Sequence, residues 1–312
     1  MKTAVILSYK GLGANLLHLS YCHEIAKKFG PITIITLCKS LEETLSKDPS
    51  IKEIIYLDKY YKKFFDILNL SNFLKKLQLE NIFIFYPSFR YFIASKIAKI
   101  NNIHCYPLFK KKNLHLVNAA KEFTEQSLKV ENCSTETNLY IDKQKQKEAI
   151  NKINKNKKNI MLGVGSSGPT TRWGSKNFIN LIKKLNKKKD CFFFLLCGPS
   201  EEEIAQEIIK EIGIEKCSSL SNETISNIIP LISVCDIYVG NDSFGHHVAS
   251  QCGISSLIIM LDTPRAYSDY SINQYRIIPT EFSIDDITHD SKIDPNIIKV
   301  DQVYEKILSL LK

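Results

Sequence analysis

Three stretches rich in glycine, hydroxyl and charged residues hold the chemistry of this chain. The first is Ser8-Tyr-Lys-Gly-Leu-Gly-Ala-Asn15. Its glycines, Gly11 and Gly13, allow a tight strand-to-helix turn with close backbone approach, and the helix that follows offers unpaired N–H groups and a partial positive charge. Alone, such a turn reads equally well as packing. The second is Gly163-Val-Gly-Ser-Ser-Gly-Pro-Thr-Thr-Arg-Trp173, with Lys176 just beyond. Around Gly165, backbone N–H groups and the hydroxyls of Thr170 and Thr171 can wrap a diphosphate, while Arg172 and Lys176 neutralise it. The third is Val239-Gly-Asn-Asp-Ser-Phe-Gly-His-His-Val-Ala249. Asp242 and Ser243 are placed to cap a helix. With Asn241 and two histidines beside them, and N–H groups aimed outward at an anion, a diphosphate site is preferred over a cap alone.

These stretches need rigid elements behind them. Strand-type runs are read at Ala4–Tyr9, Ile32–Thr36, Glu53–Leu57, Asn81–Tyr86 and Ile103–Tyr106, and again at Ile160–Val164, Phe192–Cys197, Ile237–Val239 and Ser256–Leu261. Helix-length segments alternate with them, at Asn15–Phe29, Tyr60–Leu77, Phe89–Ile100 and Ala119–Val130, then at Ser175–Leu185, Glu201–Ile212, Thr224–Cys235, Gly245–Cys252 and Val303–Leu311. Continuous apolar strands such as Ala4-Val-Ile-Leu7 suit a sheet covered on both faces. Alternation of this kind predicts parallel, doubly wound α/β sheets, whose ligands bind beyond the strand C-termini. Phe178, Leu181, Ile182 and Leu185 give one helix a buried face, and Ser175 is placed as its N-cap. The early part of the polar tract from Lys143 to Lys158 can form a helix, and its composition marks a junction. We therefore expect a Rossmann-like domain over 1–150, a second over 151–295, and a C-terminal helix over 296–312 that packs back on the first.

Composition removes several classes. At 312 residues and 44% hydrophobic content, the chain can build two cores. No apolar run nears the ~18–20 residues a membrane helix needs, and the first strand is too short to be a signal peptide; a cytoplasmic location is expected. The nine cysteines include no CxxC pair, so they read as small apolar residues, and no metal site is expected. The formal charge of +9 comes largely from lysines such as Lys62-Lys63, Lys110 to Lys112 and Lys183 to Lys189. They are dispersed and not interleaved with aromatics on a recognisable module, which argues against nucleic acid. A solvated surface is the plain reading, and attraction to an anionic acceptor or membrane is the functional one.

Three segments, GLGANLL, GSSGPTTRW followed by FINLIKKL, and GNDSFGHHVASQCG, resemble the bacterial lipopolysaccharide heptosyltransferase family in order and spacing. Cys197-Gly-Pro-Ser-Glu-Glu-Glu-Ile-Ala205 resembles that family's loop after the second strand of the sheet. The resemblance spans nearly the whole chain, strongest over Ile160–Leu261 and weak over Ser40–Lys143. It implies a GT-B fold, with two Rossmann-like domains facing each other across a cleft, and inverting transfer of a sugar. The implied donor is ADP-heptose, taken as substrate with no further cofactor and no metal. The implied acceptor is the lipopolysaccharide inner core, met by peripheral contact with the inner membrane. By the resemblance, Thr170, Thr171 and Lys176 contact donor phosphate or sugar, and Asp242, Ser243 and His247 match the family's Asp-Thr/Ser-Gly-x-x-His site. Glu201, or Ser200 beside it, corresponds to the glutamate that holds the ribose. Gly11, Gly13 and Asn15 fall on the acceptor-side loop.

Two departures follow. The family's presumed general base is an aspartate at the position of Ala14, and Phe244 stands where a glycine is usual. Three readings of Ala14 stay open. Another side chain acts as base, with His18 four residues on along the same helix face and Glu24 less well placed; the alanine is an inactivating change; or the chain binds nucleotide-sugar or glycan without catalysis. A nucleotide-sugar epimerase has the same plan but needs a carboxylate pair that is not evident here. A dehydrogenase is disfavoured because the first turn lacks a full GxGxxG.

Overall fold

The computed structural model describes residues 2–57, 66–107, 116–166, 168–263, 265–288 and 292–311. Lys62-Lys63, Lys110 to Lys112 and the start of the helix expected from Tyr60 lie outside them. The chain divides into two compact units, Met1–Tyr140 and Ile141–Lys312.

In the first unit the strands are β1 (Thr3–Leu7), β2 (Ile32–Thr36), β3 (Ile51–Tyr56), β4 (Asn81–Ile84) and β5 (Asn102–Cys105). They form one sheet in the order β3-β2-β1-β4-β5, parallel throughout. Every residue of β1 is buried, as its unbroken apolar run requires of a central strand. The helices are α1 (Leu12–Leu16), α2 (Leu19–Phe29), α3 (Leu41–Leu45), α4 (Asp66–Leu77), α5 (Phe89–Ile97) and α6 (Leu116–Leu128). The single helix expected over Asn15–Phe29 is two, because the chain kinks at Leu17 and His18, where the N–H of His18 reaches back only to Asn15. Gly30 ends α2 at a φ of +83°, a conformation that favours glycine.

In the second unit α7 (Lys143–Lys152) precedes β6 (Lys158–Gly163), α8 (Ser175–Leu185), β7 (Cys191–Leu196), α9 (Glu202–Ile212), β8 (Cys217–Ser219) and α10 (Ile225–Ile232). There follow β9 (Ile237–Asn241), α11 (Phe244–Gln251), β10 (Ser256–Ile259), β11 (Gln274–Ile277) and α12 (Val300–Leu310). The sheet order is β11-β10-β9-β6-β7-β8, again all parallel. The early part of the polar tract is helical, as its reading allowed. It forms α7, which is capped by Asp142 and belongs to the second unit, where Gln146 bonds Ser233. The cap of α8 is Gly174 rather than Ser175, which is the first helical residue. The C-terminal helix α12 packs in the second unit. Its Val303, Tyr304 and Ile307 lie in the second unit's core with Phe178, Leu181 and Trp173. All nine cysteines are free thiols.

Candidate functional site

The second sheet reverses its strand order between β6 and β9. Loops leaving neighbouring strands there go to opposite faces and open a crevice at the strand ends. The loop after β6 holds Gly165 to Trp173, and the turn after β9 holds Asp242 and Ser243, so the second and third sequence stretches meet at this point.

Most of their polar groups are engaged in building the loops. Asn241, fully buried, accepts from the Trp173 N–H at 2.9 Å and donates to the Val164 carbonyl at 2.9 Å. It joins the two loops and is not presented to a donor, contrary to its assignment from sequence. Trp173 is also buried, its indole N–H bonded to the Ile298 carbonyl. Glu201 accepts from the N–H groups of Ser166 and Gly198 at 2.9 and 3.0 Å and pairs with Arg172 at 2.7 Å. A Cβ on Gly165 would stand 2.2 Å from the Glu201 carboxylate, so a larger residue there would displace that carboxylate from the loop. Thr171 bonds Ser166 and the Gly168 carbonyl. Arg172, Glu201 and Thr171 thus act as loop organisers here. Thr170 and Lys176 are exposed, Lys176 in the first turn of α8. The α8 N-cap, Gly174, makes no side-chain bond to the helix's first N–H groups.

Ser243 is the cap of α11. Its hydroxyl accepts from the Gly245 N–H and meets the Tyr238 hydroxyl at 3.0 Å. Asp242 does not cap. Its carboxylate takes His246 Nε2 at 3.2 Å and the Thr263 hydroxyl at 3.3 Å. Gly245, next to Phe244, is closely packed: a Cβ there would lie 2.5 Å from Leu196 and 2.7 Å from Tyr238. His247 is 1% exposed, and its Nδ1 lies 2.6 Å from the Tyr270 hydroxyl. Burial first, then neighbouring His246, hold His247 well below its ordinary pKa, so the ring is neutral at pH 7. Thr263 and Tyr270 were not singled out in the sequence. Their only signal is that Thr263 closely follows β10, where a strand-end loop is expected to reach the crevice.

The first stretch lies after β1, at the equivalent reversal between β1 and β4 of its own sheet. Asn15 is buried, donating to the carbonyls of Tyr9 and Gly11 and accepting from Thr36. It organises the turn. A Cβ on Gly11 would meet nothing within 4 Å, so close approach does not explain that glycine. Ala14 is half-buried on α1. His18 is fully buried, with Nδ1 2.7 Å from the Ala14 carbonyl and Nε2 3.4 Å from the Tyr106 hydroxyl, stacked on Tyr9. Its link to Ala14 is through the backbone, and the ring cannot meet an acceptor hydroxyl. The relocated-base reading of His18 is therefore corrected.

Burial pulls the pKa of His18 from 6.5 to about 4, against the raising effect of the Ala14 carbonyl. Its folded pKa lies below the unfolded one, so stability is full above pH 6.5 and falls as the pH drops toward 4. The total loss is about 3 kcal/mol. Hydrogen-exchange protection of the β1 amides, corrected for intrinsic rates, should fall over that window in the parent and stay flatter in His18→Leu. Equal profiles would show that His18 does not carry the effect.

The model of glycosyltransferase family 9 (heptosyltransferase) matches residues 88–255, more than half of the chain. Lipooligosaccharide heptosyltransferase 2 of Campylobacter jejuni is 24% identical over 252 residues, 80% of this chain and 77% of that protein. Lipopolysaccharide heptosyltransferase 1 of Campylobacter coli is 29% identical over 164 residues, 51% of this chain and 47% of that protein, so this match spans about half the relative's length. Among solved structures, ADP-heptose lipopolysaccharide heptosyltransferase II of Escherichia coli superposes with a TM-score of 0.76 at 19% identity, covering 100% of this chain and 98% of that one, a likeness of fold.

Proposed function

The chain belongs to glycosyltransferase family 9, the heptosyltransferases, and from that premise we propose that it moves heptose, with inversion, from ADP-heptose to a lipopolysaccharide or related surface-glycan acceptor. The observation that carries the donor half is the meeting of the β6 and β9 loops where the second sheet reverses its order. Two helix N-termini follow those strands, α8 with exposed Lys176 and α11 capped by Ser243. Unpaired N–H groups and a cation are what a leaving diphosphate needs as its charge develops. The acceptor hydroxyl attacks the anomeric carbon, the bond to the nucleoside diphosphate breaks on the opposite face, and the hydroxyl proton must go to a base. The names of the relatives support heptose and lipopolysaccharide as donor sugar and acceptor. The formal charge of +9 suits anionic partners and a peripheral position at the cytoplasmic face of the inner membrane; among the described residues no helix is long and apolar enough to cross a membrane.

One observation favours a second reading. Ala14 offers no proton acceptor and His18 is buried, as in a chain that binds nucleotide-sugar without turning it over. A thermal-shift screen of ADP-, GDP- and UDP-sugars tests what both readings share. ADP-sugar at a hundred times its Kd should stabilise the protein by about 2.7 kcal/mol; no shift with any of the three removes both. Where turnover is measurable, Lys176→Ala should lower kcat by roughly 100-fold with a smaller loss of donor affinity, since its cation serves the transition state. Equal losses in both would reduce Lys176 to ground-state binding.

A further inference from the structure

Among the described residues, eight large hydrophobic side chains stand exposed, and three of them, Leu68, Phe89 and Ile97, fall on α4 and α5. The other five are spread singly over other elements and loops, as surface hydrophobics usually are. α4 and α5 pack side by side and bury Leu70, Leu74 and Ala94 in one core over β1 and β4. Their opposite sides face outward with the same spacing. On α5, Phe89, Ile93, Lys96 and Ile97 recur at i, i+4, i+7 and i+8, which is one side of a helix; all are exposed except half-buried Ile93. On α4, Leu68, Asn72, Lys75 and Lys76 repeat that spacing, all exposed.

The charge on this face has one sign. Asp66, half-buried at the start of α4, is the one acidic residue on either helix, against Lys75, Lys76, Arg90 and Lys96, all exposed. Lys96 Nζ stands 5.7 Å from the centroid of the Phe92 ring, so its stem lies along apolar surface while its charge stays outside. Phe and Leu beside Lys and Arg, with almost no acid, is the composition of helices that lie in the interface of an anionic bilayer. A cytosolic protein partner would need acidic complements and gains nothing from the exposed Phe89 at 59% and Leu68 at 56% until it covers them. Strands of a parallel sheet end where the returning helices begin, so the first turns of α4 and α5, holding Leu68 and Phe89, lie at the same end of the sheet as Ala14 on α1.

We propose that the outward face of α4 and α5 docks on an anionic phospholipid bilayer. Leu68, Phe89 and Ile97 enter the boundary between headgroups and acyl chains, and the lysines and Arg90 meet lipid phosphates. The proposal rests on the peripheral position read above and gives it a surface. A lipid-anchored acceptor in that bilayer is then presented at the end of the sheet where α1 begins.

Flotation of the full-length protein with vesicles tests it. The parent should float with vesicles of phosphatidylglycerol and phosphatidylcholine, stay largely behind with phosphatidylcholine alone, and be released by salt. Phe89→Ser combined with Ile97→Ser should weaken binding at least tenfold. Lys75→Gln combined with Lys96→Gln should weaken it roughly 30-fold, at about 1 kcal/mol per cation. These positions are exposed, and circular dichroism checks that the variants fold. Phe89→Trp places a fluorophore on the face, and phosphatidylglycerol with brominated acyl chains should quench it. Ile214→Trp, at a site 79% exposed in the second unit, should stay unquenched. No flotation of the parent, flotation undiminished in either double variant, or equal quenching at positions 89 and 214 overturns the proposal. A lipid-free dimer that Phe89→Ser dissolves would also overturn it, giving the face to a second copy. Thermal stabilisation by ADP-sugar is followed on the same samples. Stabilisation without flotation removes the docking face and leaves the donor reading standing, and flotation without stabilisation does the reverse.

Discussion

Replacing Ala14 by aspartate is expected to raise the rate of sugar transfer by roughly 100- to 10,000-fold, the usual contribution of a positioned general base. Ala14 is half-buried on α1, at the strand end where the first sheet reverses its order. The histidine that shares its helix face spends Nδ1 on the Ala14 carbonyl and is sealed under Tyr9, Phe85 and Tyr106. Nothing about that arrangement supplies a base to an acceptor hydroxyl. Turnover of ADP-heptose onto a lipopolysaccharide-core acceptor, measured for parent and Ala14→Asp, gives the answer. A variant no faster than its parent would mean that the proton leaves by another route or that position 14 does not face the acceptor. A parent inert with every sugar nucleotide and a fast variant would identify the chain as a transferase stopped at one step.

The second large effect is on stability. Asn241→Leu keeps side-chain size but removes the acceptor for the Trp173 N–H and the donor for the Val164 carbonyl. Two buried backbone groups then go unpaired, at about 1–3 kcal/mol each, so the second unit should lose about 2–6 kcal/mol. Trp173 is the chain's one tryptophan and lies in that unit's core, so its fluorescence in a urea titration reports this unit selectively. Unchanged stability with weakened donor binding would return Asn241 to the donor site.

These two positions show what can be read from residue order and what cannot. Runs such as Ala4-Val5-Ile6-Leu7 and Ile160-Met161-Leu162 are too apolar for a half-wet sheet, so parallel sheets with covered faces were legible from them. The strands β8, Cys-Ser-Ser, and β11, Gln-Tyr-Arg-Ile, were not legible. Both are edge strands, paired on one side only, and carry no apolar run. The glycine-rich loops do lie at the ends of β1, β6 and β9, but their spacing suggests polar residues facing a ligand where several face the loop itself. A loop must first satisfy its own backbone. Asn241 does so for Trp173, 68 positions away in the chain, and Glu201 does so for Ser166 and Gly198. One-dimensional spacing does not reveal such partners. For His18 the helical spacing to Ala14 was right, but the face was the buried one.

The strand order has a consequence for how the protein comes into being. In each unit the first strand made is a central one, β1 or β6. As the ribosome extrudes the second unit, β6 gains β7 on one side early. Its other side stays unpaired until Ile237–Gly240 of β9 arrive to meet Ile160–Gly163. Until then a strand with the apolar run Ile160-Met161-Leu162 carries an open hydrogen-bonding edge, the state most exposed to wrong pairing. Closing that gap requires contacts far apart in sequence, which slow the search. The Asn241 side chain then joins the last-made half of the sheet to the first-made, in a bond that forms only when β6 and β9 lie side by side.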